Sequence, residues 1–235
     1  MSTLYLIRHG QASFGQSNYD ALSDIGHRQS ASLAEYLDRS GIVFDAVYTG
    51  PQVRHAETAE PFLNLLNKRP QCPVHTEHQG LAEYDFENVL KALLPVIGAE
   101  DESFNADMGR MFTDKKAFQR VFETAILRWV RADDPLPGLP TWQAFKDRVN
   151  WGLDEIMARD GRGKHVLMFT SGGPIAVAVQ KALALSDEMA MRLNWQIVNC
   201  SISRFKCTTD RLMVSAFNEH TWLEIEGGEE MVTYR

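Results

Sequence analysis

The sequence predicts an α/β protein, and three stretches carry that prediction. Leu4-Tyr5-Leu6-Ile7 is a short apolar strand that runs directly into Arg8-His9-Gly10. Phe44 to Thr49 reads as a second strand, followed by a tight turn and a helix start around Arg54. Val166-Leu167-Met168-Phe169 is an unbroken apolar run, as expected of a strand covered on both faces.

The remaining elements follow from periodicity and punctuation. Leu22-Ser23-Asp24 starts a helix with Leu33, Ala34 and Leu37 on one face, ending near Gly41. A second helix runs from Glu57 to Asn67, where Lys68-Arg69-Pro70 breaks it, and Val74 to Glu77 forms an edge strand. From Phe86 to about Asp160 the pattern is helical. Phe118, Phe122, Ala125 and Trp129 share one face there, as do Trp142, Phe145, Val149, Leu153 and Ile156. Such stripes read as core rather than as a cofactor box. Thr141 is a candidate N-cap. The connectors Glu100-Asp101-Glu102 and Asp133-Asp134-Pro135-Leu136-Pro137 read as solvated joints. Thr170-Ser171-Gly172-Gly173-Pro174 turns the late strand into a helix from Ile175 to Leu185. Ser201 to Cys207 and Leu212 to Phe217 make a closing hairpin.

Composition narrows the function classes. The chain has 235 residues, 44% apolar and 23% charged, with net charge −7. That is enough for one substantial core carrying an insertion. The acidic balance argues against nucleic-acid or anionic-membrane partners, which call for basic patches. No apolar stretch approaches the roughly 20 residues that span a bilayer. Cys72, Cys200 and Cys207 lack metal-ligand spacing, as do the seven histidines, so no metal is expected. An odd cysteine count and the absence of a charged, apolar leader point to the cytoplasm.

The chemistry concentrates at strand ends, where open α/β sheets keep their ligand crevice. Arg8 can fork two hydrogen bonds onto a phosphoryl group, and Gly10 lets backbone approach. A cation beside His9 disfavours the imidazolium and keeps the ring nucleophilic. Together these suggest attack of histidine on phosphorus. Arg-His-Gly alone is a weak signal, which a structural histidine would explain. It gains weight from Tyr48-Thr49-Gly50-Pro51-Gln52-Val53-Arg54-His55-Ala56-Glu57-Thr58-Ala59, which places Arg54 in a first helical turn, where an anion is favoured. Leu81-Ala82-Glu83 adds a carboxyl group between apolar runs. Arg110, Lys115, Lys116 and Arg120 could reach an anionic substrate, though a solvated helix face explains them more simply.

Taken in order, Arg8-His9-Gly10, Leu22-Ser23-Asp24-Ile25-Gly26-His27-Arg28-Gln29, Arg54 with Thr58-Ala59, Leu81-Ala82-Glu83 and Gly172-Gly173 resemble the histidine phosphatase superfamily, also called the phosphoglycerate mutase-like family. The resemblance covers about residues 1–87 and 140–222. It implies a single domain over 1–235: a three-layer α/β/α sandwich with a mostly parallel mixed sheet, and a helical cap inserted at about 86–140. By position, His9 matches the nucleophile that becomes phosphohistidine, Arg8 and Arg54 the phosphate-binding arginines, and Glu83 the general acid. Ser171 stands where the family places a second histidine, which hydrogen-bonds the transferring phosphoryl group. It keeps a donor and loses a cation, at a cost at or below about 10²–10³ in turnover.

Gly172 and Ser13 complete the expected phosphate contacts, with Asn18 as the alternative to Ser13. The loop Gln11-Ala12-Ser13-Phe14-Gly15 and the stretch Tyr84-Asp85-Phe86-Glu87 both depart from the family pattern. His55 reads first as an exposed histidine at a helix start, and second as a substitute imidazole. His165 and His220 read as structural.

The expected activity is a phosphatase without metal or other cofactor, acting on a small phosphorylated metabolite. The alternatives are an impaired member that only binds a phosphorylated ligand, and a mutase.

Overall fold

The computed structural model describes residues 1–13, 20–70, 72–132, 136, 138–160 and 162–234. Asn18 and much of the 133–137 connector therefore lie outside the described residues. The chain divides into two compact units, residues 1–83 with 148–235, and residues 84–147.

The first unit holds a six-stranded mixed sheet. Its strands are β1 (Ser2–Arg8), β2 (Ala46–Thr49), β3 (Val74–Glu77), β4 (His165–Thr170), β5 (Ile202–Cys207) and β6 (Leu212–Glu219), in the spatial order β3-β2-β4-β1-β5-β6. The first four are mutually parallel, while β5 and β6 form the expected closing hairpin, with β5 antiparallel to β1. Helices are α1 (Asp24–Arg39), α2 (Val53–Leu66), α3 (Phe86–Glu100), α4 (Glu102–Met108), α5 (Lys115–Val130), α6 (Trp142–Asp160), α7 (Gly172–Leu183), α8 (Asp187–Asn194) and α9 (Thr221–Gly227).

Pleating sorts the central strands into two buried faces. Tyr5 and Ile7 of β1, with Leu167 and Phe169 of β4, join Leu33 and Leu37 of α1, Phe62 of α2 and Trp222 of α9 in one core. Leu4, Leu6, Val166 and Met168 point to the other face and are fully buried too; α7 packs against β1 there. On that face Tyr48 donates to Asp160 Oδ2 at 2.6 Å, which ties β2 to the end of α6. Burial and this bond push the Tyr48 hydroxyl far up from its usual titration.

The second unit is helical. Its deepest ridge on α5 is Ala117, Val121, Ala125 and Trp129, packed on α3, whereas Phe118 and Phe122 lie half-buried with their rings stacked on each other. Ala125 and Trp129 are buried as the expected stripe has them, whereas in the first half of the helix the smaller Ala117 and Val121 take the buried places in front of Phe118 and Phe122. Trp129 also meets Tyr84 and Trp142 at ring separations of 5.0 and 5.5 Å. The first acidic connector does more than face water: Asp101 accepts from the Ser103 and Phe104 amides and caps α4. Asp107 pairs with both Arg110 and Arg120 at 2.7 Å, which engages two of the four surface cations, and their hydrogen bonds hold its carboxyl down at about 2.

Candidate active site

Strand register assembles the site. Arg8 of β1 lies beside Thr170 of β4, and Thr49 of β2 beside Phe169. Three strands therefore end almost level, and the next residues, His9, Ser171 and Gly50, leave the sheet at its carboxyl edge. The exit is pinned by His9 N–H donating to Thr170 O and Gly50 N–H donating to Phe169 O, both at 2.9 Å. Asn199 Nδ2 and the Cys200 amide both donate to the His9 carbonyl, at 3.0 and 3.3 Å.

His9 is buried, with Nδ1 2.7 Å from the Gly10 carbonyl. A carbonyl can only accept, so Nδ1 carries the proton of the neutral ring and Nε2 is left with its lone pair. Burial first, then the charges of Arg54 and Arg8, hold the imidazole well below its ordinary pKa. The ring is thus uncharged at neutral pH, with the Nε2 lone pair unprotonated. Gly10 is required by crowding: a Cβ there would stand 2.7 Å from the Gly26 carbonyl of α1.

Arg54 is buried in the first turn of α2. The anion that this helix start attracts is supplied by the chain itself. Asp20 accepts from the Val53 amide at 2.9 Å through Oδ2 and from Arg54 Nη1 at 2.6 Å through Oδ1. No local pattern marks Asp20, which lies far from α2 in sequence. Arg8 Nη1 donates to the Ile197 carbonyl.

Ser171 is fully buried as the N-cap of α7, and Gly172 opens the helix where a Cβ would collide with Asn194. Its hydroxyl lies 2.7 Å from Nε2 of His55, which is also fully buried. His55 is therefore not the exposed residue that its position at a helix start suggested. Strand β4 and the 49–50 turn enclose it, and both are set by tertiary structure. Its ring centroid is 5.7 Å from that of His9.

Glu83 is half-buried, and its Oε2 accepts from the Gly173 amide at 3.1 Å, two residues beyond Ser171. The turn that carries it is laced by Arg148 of α6, which donates to the carbonyls of Gln79 (2.5 Å) and Ala82 (3.1 Å). The sequence offered no cue to Arg148, an arginine in a helix otherwise read for its apolar face. Ser13 is buried with its hydroxyl donating to the Leu22 carbonyl at 3.0 Å. Tyr5 Oη lies 3.0 Å from His165 Nδ1, and His220 Nδ1 lies 2.6 Å from the Asn218 carbonyl. Among the described residues, no three His, Cys, Asp or Glu side chains gather as a metal ion would need.

A neutral histidine, guanidinium groups and a carboxylate at the carboxyl edge of a parallel sheet define a site suited to anionic substrates. The histidine phosphatase superfamily (branch 1) matches the chain over residues 4–116 and 100–220, and the chain belongs to this superfamily. Its members are phosphatases or mutases acting on small phosphorylated metabolites. One relative is the 2,3-bisphosphoglycerate-dependent phosphoglycerate mutase of Parvibaculum lavamentivorans, 25% identical over 199 residues, covering 81% of this chain and 84% of that one. Among solved structures, YhfR of Bacillus stearothermophilus superposes with a TM-score of 0.68 at 17% identity, covering 95% of this chain and all of the other. The phosphoserine phosphatase of Entamoeba histolytica, solved with 3-phosphoglyceric acid, superposes at 0.63 with 18% identity over 95% and 100% of the two chains.

Proposed function

We propose that this protein is a phosphomonoesterase that hydrolyses a small phosphorylated metabolite through a phosphohistidine on His9. The observation that carries this reading is the state of His9: neutral, its Nδ1 proton held by the Gly10 carbonyl, its Nε2 lone pair available, and two arginine charges acting on it. Phosphoryl transfer needs positioning and charge neutralisation above all. Arg8 and Arg54 supply that charge, so the reaction asks for no metal. Ser171, the Gly172 amide and Ser13 complete the expected phosphate contacts; for Ser13 this requires its bond to Leu22 to give way.

In the first step Nε2 forms a bond to phosphorus while the ester P–O bond breaks, and the Glu83 carboxyl protonates the departing oxygen. In the second, the Glu83 carboxylate takes a proton from water. The resulting hydroxide displaces the imidazole, releasing inorganic phosphate and restoring the acid. Returning the phosphoryl group to substrate instead of water would make the same site a mutase, which the Parvibaculum relative's name favours. The three free thiols suit a reducing compartment such as the cytoplasm.

The test compares wild type with His9→Ala on sugar, nucleotide and carboxylate phosphates, measuring released phosphate and acid-labile label on the protein. Wild type should show burst release and a labelled histidine. His9→Ala should lose at least about 10³-fold in turnover. Turnover of His9→Ala within a few-fold of wild type would overturn the assignment, and isomerisation without phosphate release would make the protein a mutase.

A further inference from the structure

Two buried amides and one hydroxyl close a hydrogen-bonded ring around Gly10. The Gln11 amide donates to Gln29 Oε1 at 2.8 Å, and Gln29 Nε2 donates to Thr233 Oγ1 at 2.9 Å. Thr233 Oγ1 donates to Asn199 Oδ1 at 2.9 Å, and Asn199 Nδ2 donates to the His9 carbonyl at 3.0 Å. The series begins at Gln11 and ends at His9, one residue to either side of the glycine. Gln29 and Asn199 are fully buried, and Thr233 comes from the segment after α9.

Backbone groups set the direction of every bond. The Gln11 N–H can only donate, which turns Gln29 Oε1 toward it, and the Met231 carbonyl, 2.8 Å from Gln29 Nε2, can only accept. The His9 carbonyl likewise accepts, which turns Asn199 Nδ2 toward it and leaves Oδ1 facing Thr233. Oδ1 cannot donate, so the Thr233 hydroxyl gives its proton to Asn199 and receives one from Gln29. A second tie, from the Asn199 amide to the Thr233 carbonyl at 2.8 Å, keeps the two residues in register.

What the ring holds is a peptide plane. The Gln11 N–H and the Gly10 carbonyl belong to one rigid peptide group. That same carbonyl takes the Nδ1 proton of His9 at 2.7 Å. Tilting the plane would loosen the bond that keeps the proton on Nδ1, and a neutral imidazole protonated at Nε2 has no lone pair there. Bonds in series also polarise one another, so the ring strengthens this acceptor as well as aiming it.

We propose that Thr233 is a positioning residue for His9. Through Gln29 and Asn199 its hydroxyl fixes the Gly10–Gln11 peptide, and with it the tautomer that leaves Nε2 unprotonated. It touches no reacting atom. That this lone pair attacks phosphorus rests on the function proposed above.

The test pairs turnover with a spectrum that needs none. Thr233→Val keeps the shape, removes the hydroxyl and takes a partner from both Gln29 Nε2 and Asn199 Oδ1. It should lower kcat about tenfold with a smaller change in KM, while Thr233→Ser should stay within about twofold of wild type. In ¹⁵N spectra, with His9 assigned by its loss in His9→Gln, wild type and Thr233→Ser should show that ring protonated at Nδ1 alone. Thr233→Val should show an exchanging pair of tautomers, and Thr233→Ala gives the same readings should the valine variant fail to fold. Leu66→Ala, a core substitution at the end of α2 outside the ring, should lower stability and leave kcat and the His9 spectrum as in wild type. An unchanged His9 spectrum in Thr233→Val would overturn the proposal whatever the turnover. A serine variant as slow as the valine one, or the same losses in Leu66→Ala, would overturn it too. The expected spectra without a phosphohistidine in wild type would instead strike the role given to His9 and leave the ring standing.

Discussion

The Gly10 amide donates to the Thr58 hydroxyl over 3.0 Å, and that hydroxyl passes its own proton to the Arg54 carbonyl at 2.6 Å. One buried side chain thereby joins the turn after β1 to the first turn of α2, and sets His9 and Arg54 in a common frame. Thr58→Val keeps the shape but strands the Gly10 N–H, which should cost about 1–3 kcal/mol of stability. Thr58→Ser should retain most of it. Urea unfolding of the three proteins measures the difference, and a valine variant as stable as wild type would deny the bridge any weight.

Acid should destabilise the fold through its buried histidines. His9 and His55 are held well below the ordinary value of 6.5, by burial first and then by Arg54. In the unfolded chain both titrate near that value. As pH falls below it, the unfolded state takes up protons that the native state refuses, so the free energy of unfolding decreases. Above it both states are neutral at these rings and the contribution is level. Replacing either histidine with glutamine should flatten the slope between pH 7 and 5, measured as urea midpoints. By the same logic kcat/KM should show no loss from His9 protonation near pH 6.5.

Arg148 should matter to turnover more than to binding. Its guanidinium is partly withdrawn from water and spans the carbonyls of Gln79 and Ala82 beside Glu83. Lysine cannot reproduce the fork. Arg148→Lys is expected to lower kcat by about 10- to 100-fold, in line with the roughly 1.5–3 kcal/mol assigned to hydrogen bonds of charged groups, while KM changes less. Steady-state kinetics on any accepted phosphate ester would decide, and a change confined to KM would argue against a role in placing Glu83.

Asp20 should restrain anion affinity. It holds Arg54 Nη1 and the start of α2 with one carboxylate. Asp20→Asn keeps an acceptor for the Val53 amide and removes the negative charge. Stability should fall by about 0.3–1 kcal/mol through the helix terminus, while inorganic phosphate should bind several-fold tighter, with a steeper salt dependence. Calorimetric titration at two ionic strengths gives both numbers.

Much of this site could be read from the chain because its parts lie at strand ends. An apolar run followed by a polar, glycine-bearing turn marks a carboxyl edge whatever the tertiary detail, and that drew attention to His9 and Arg54, whereas Glu83 and Ser171 were singled out by the family resemblance. His55 was misplaced because nothing near Arg54 reports what covers it. The enclosing groups are Gly50, the Leu81 carbonyl and Ser171, the last brought in by β4. Asp20 and Arg148 were illegible for the same reason, being ordinary charged residues given meaning by partners distant in sequence. In the helical region the stripe at Phe118 and Phe122 was found, but periodicity cannot say that Ala117 and Val121 would take the tighter seam. Helices α8 and α9 are too short to give a clear period.

The sheet order also governs when the site can exist at all. β1 precedes both of its partners in the chain, which begin at His165 and Ile202, so during synthesis its apolar run Leu4–Ile7 has no strand to pair with until those distant segments follow. Such long-range closure is slow and leaves sticky segments uncovered in the meantime. The nascent polypeptide must shelter β1 until β4 and β5 have followed it, and only then can the surroundings of His9 take shape.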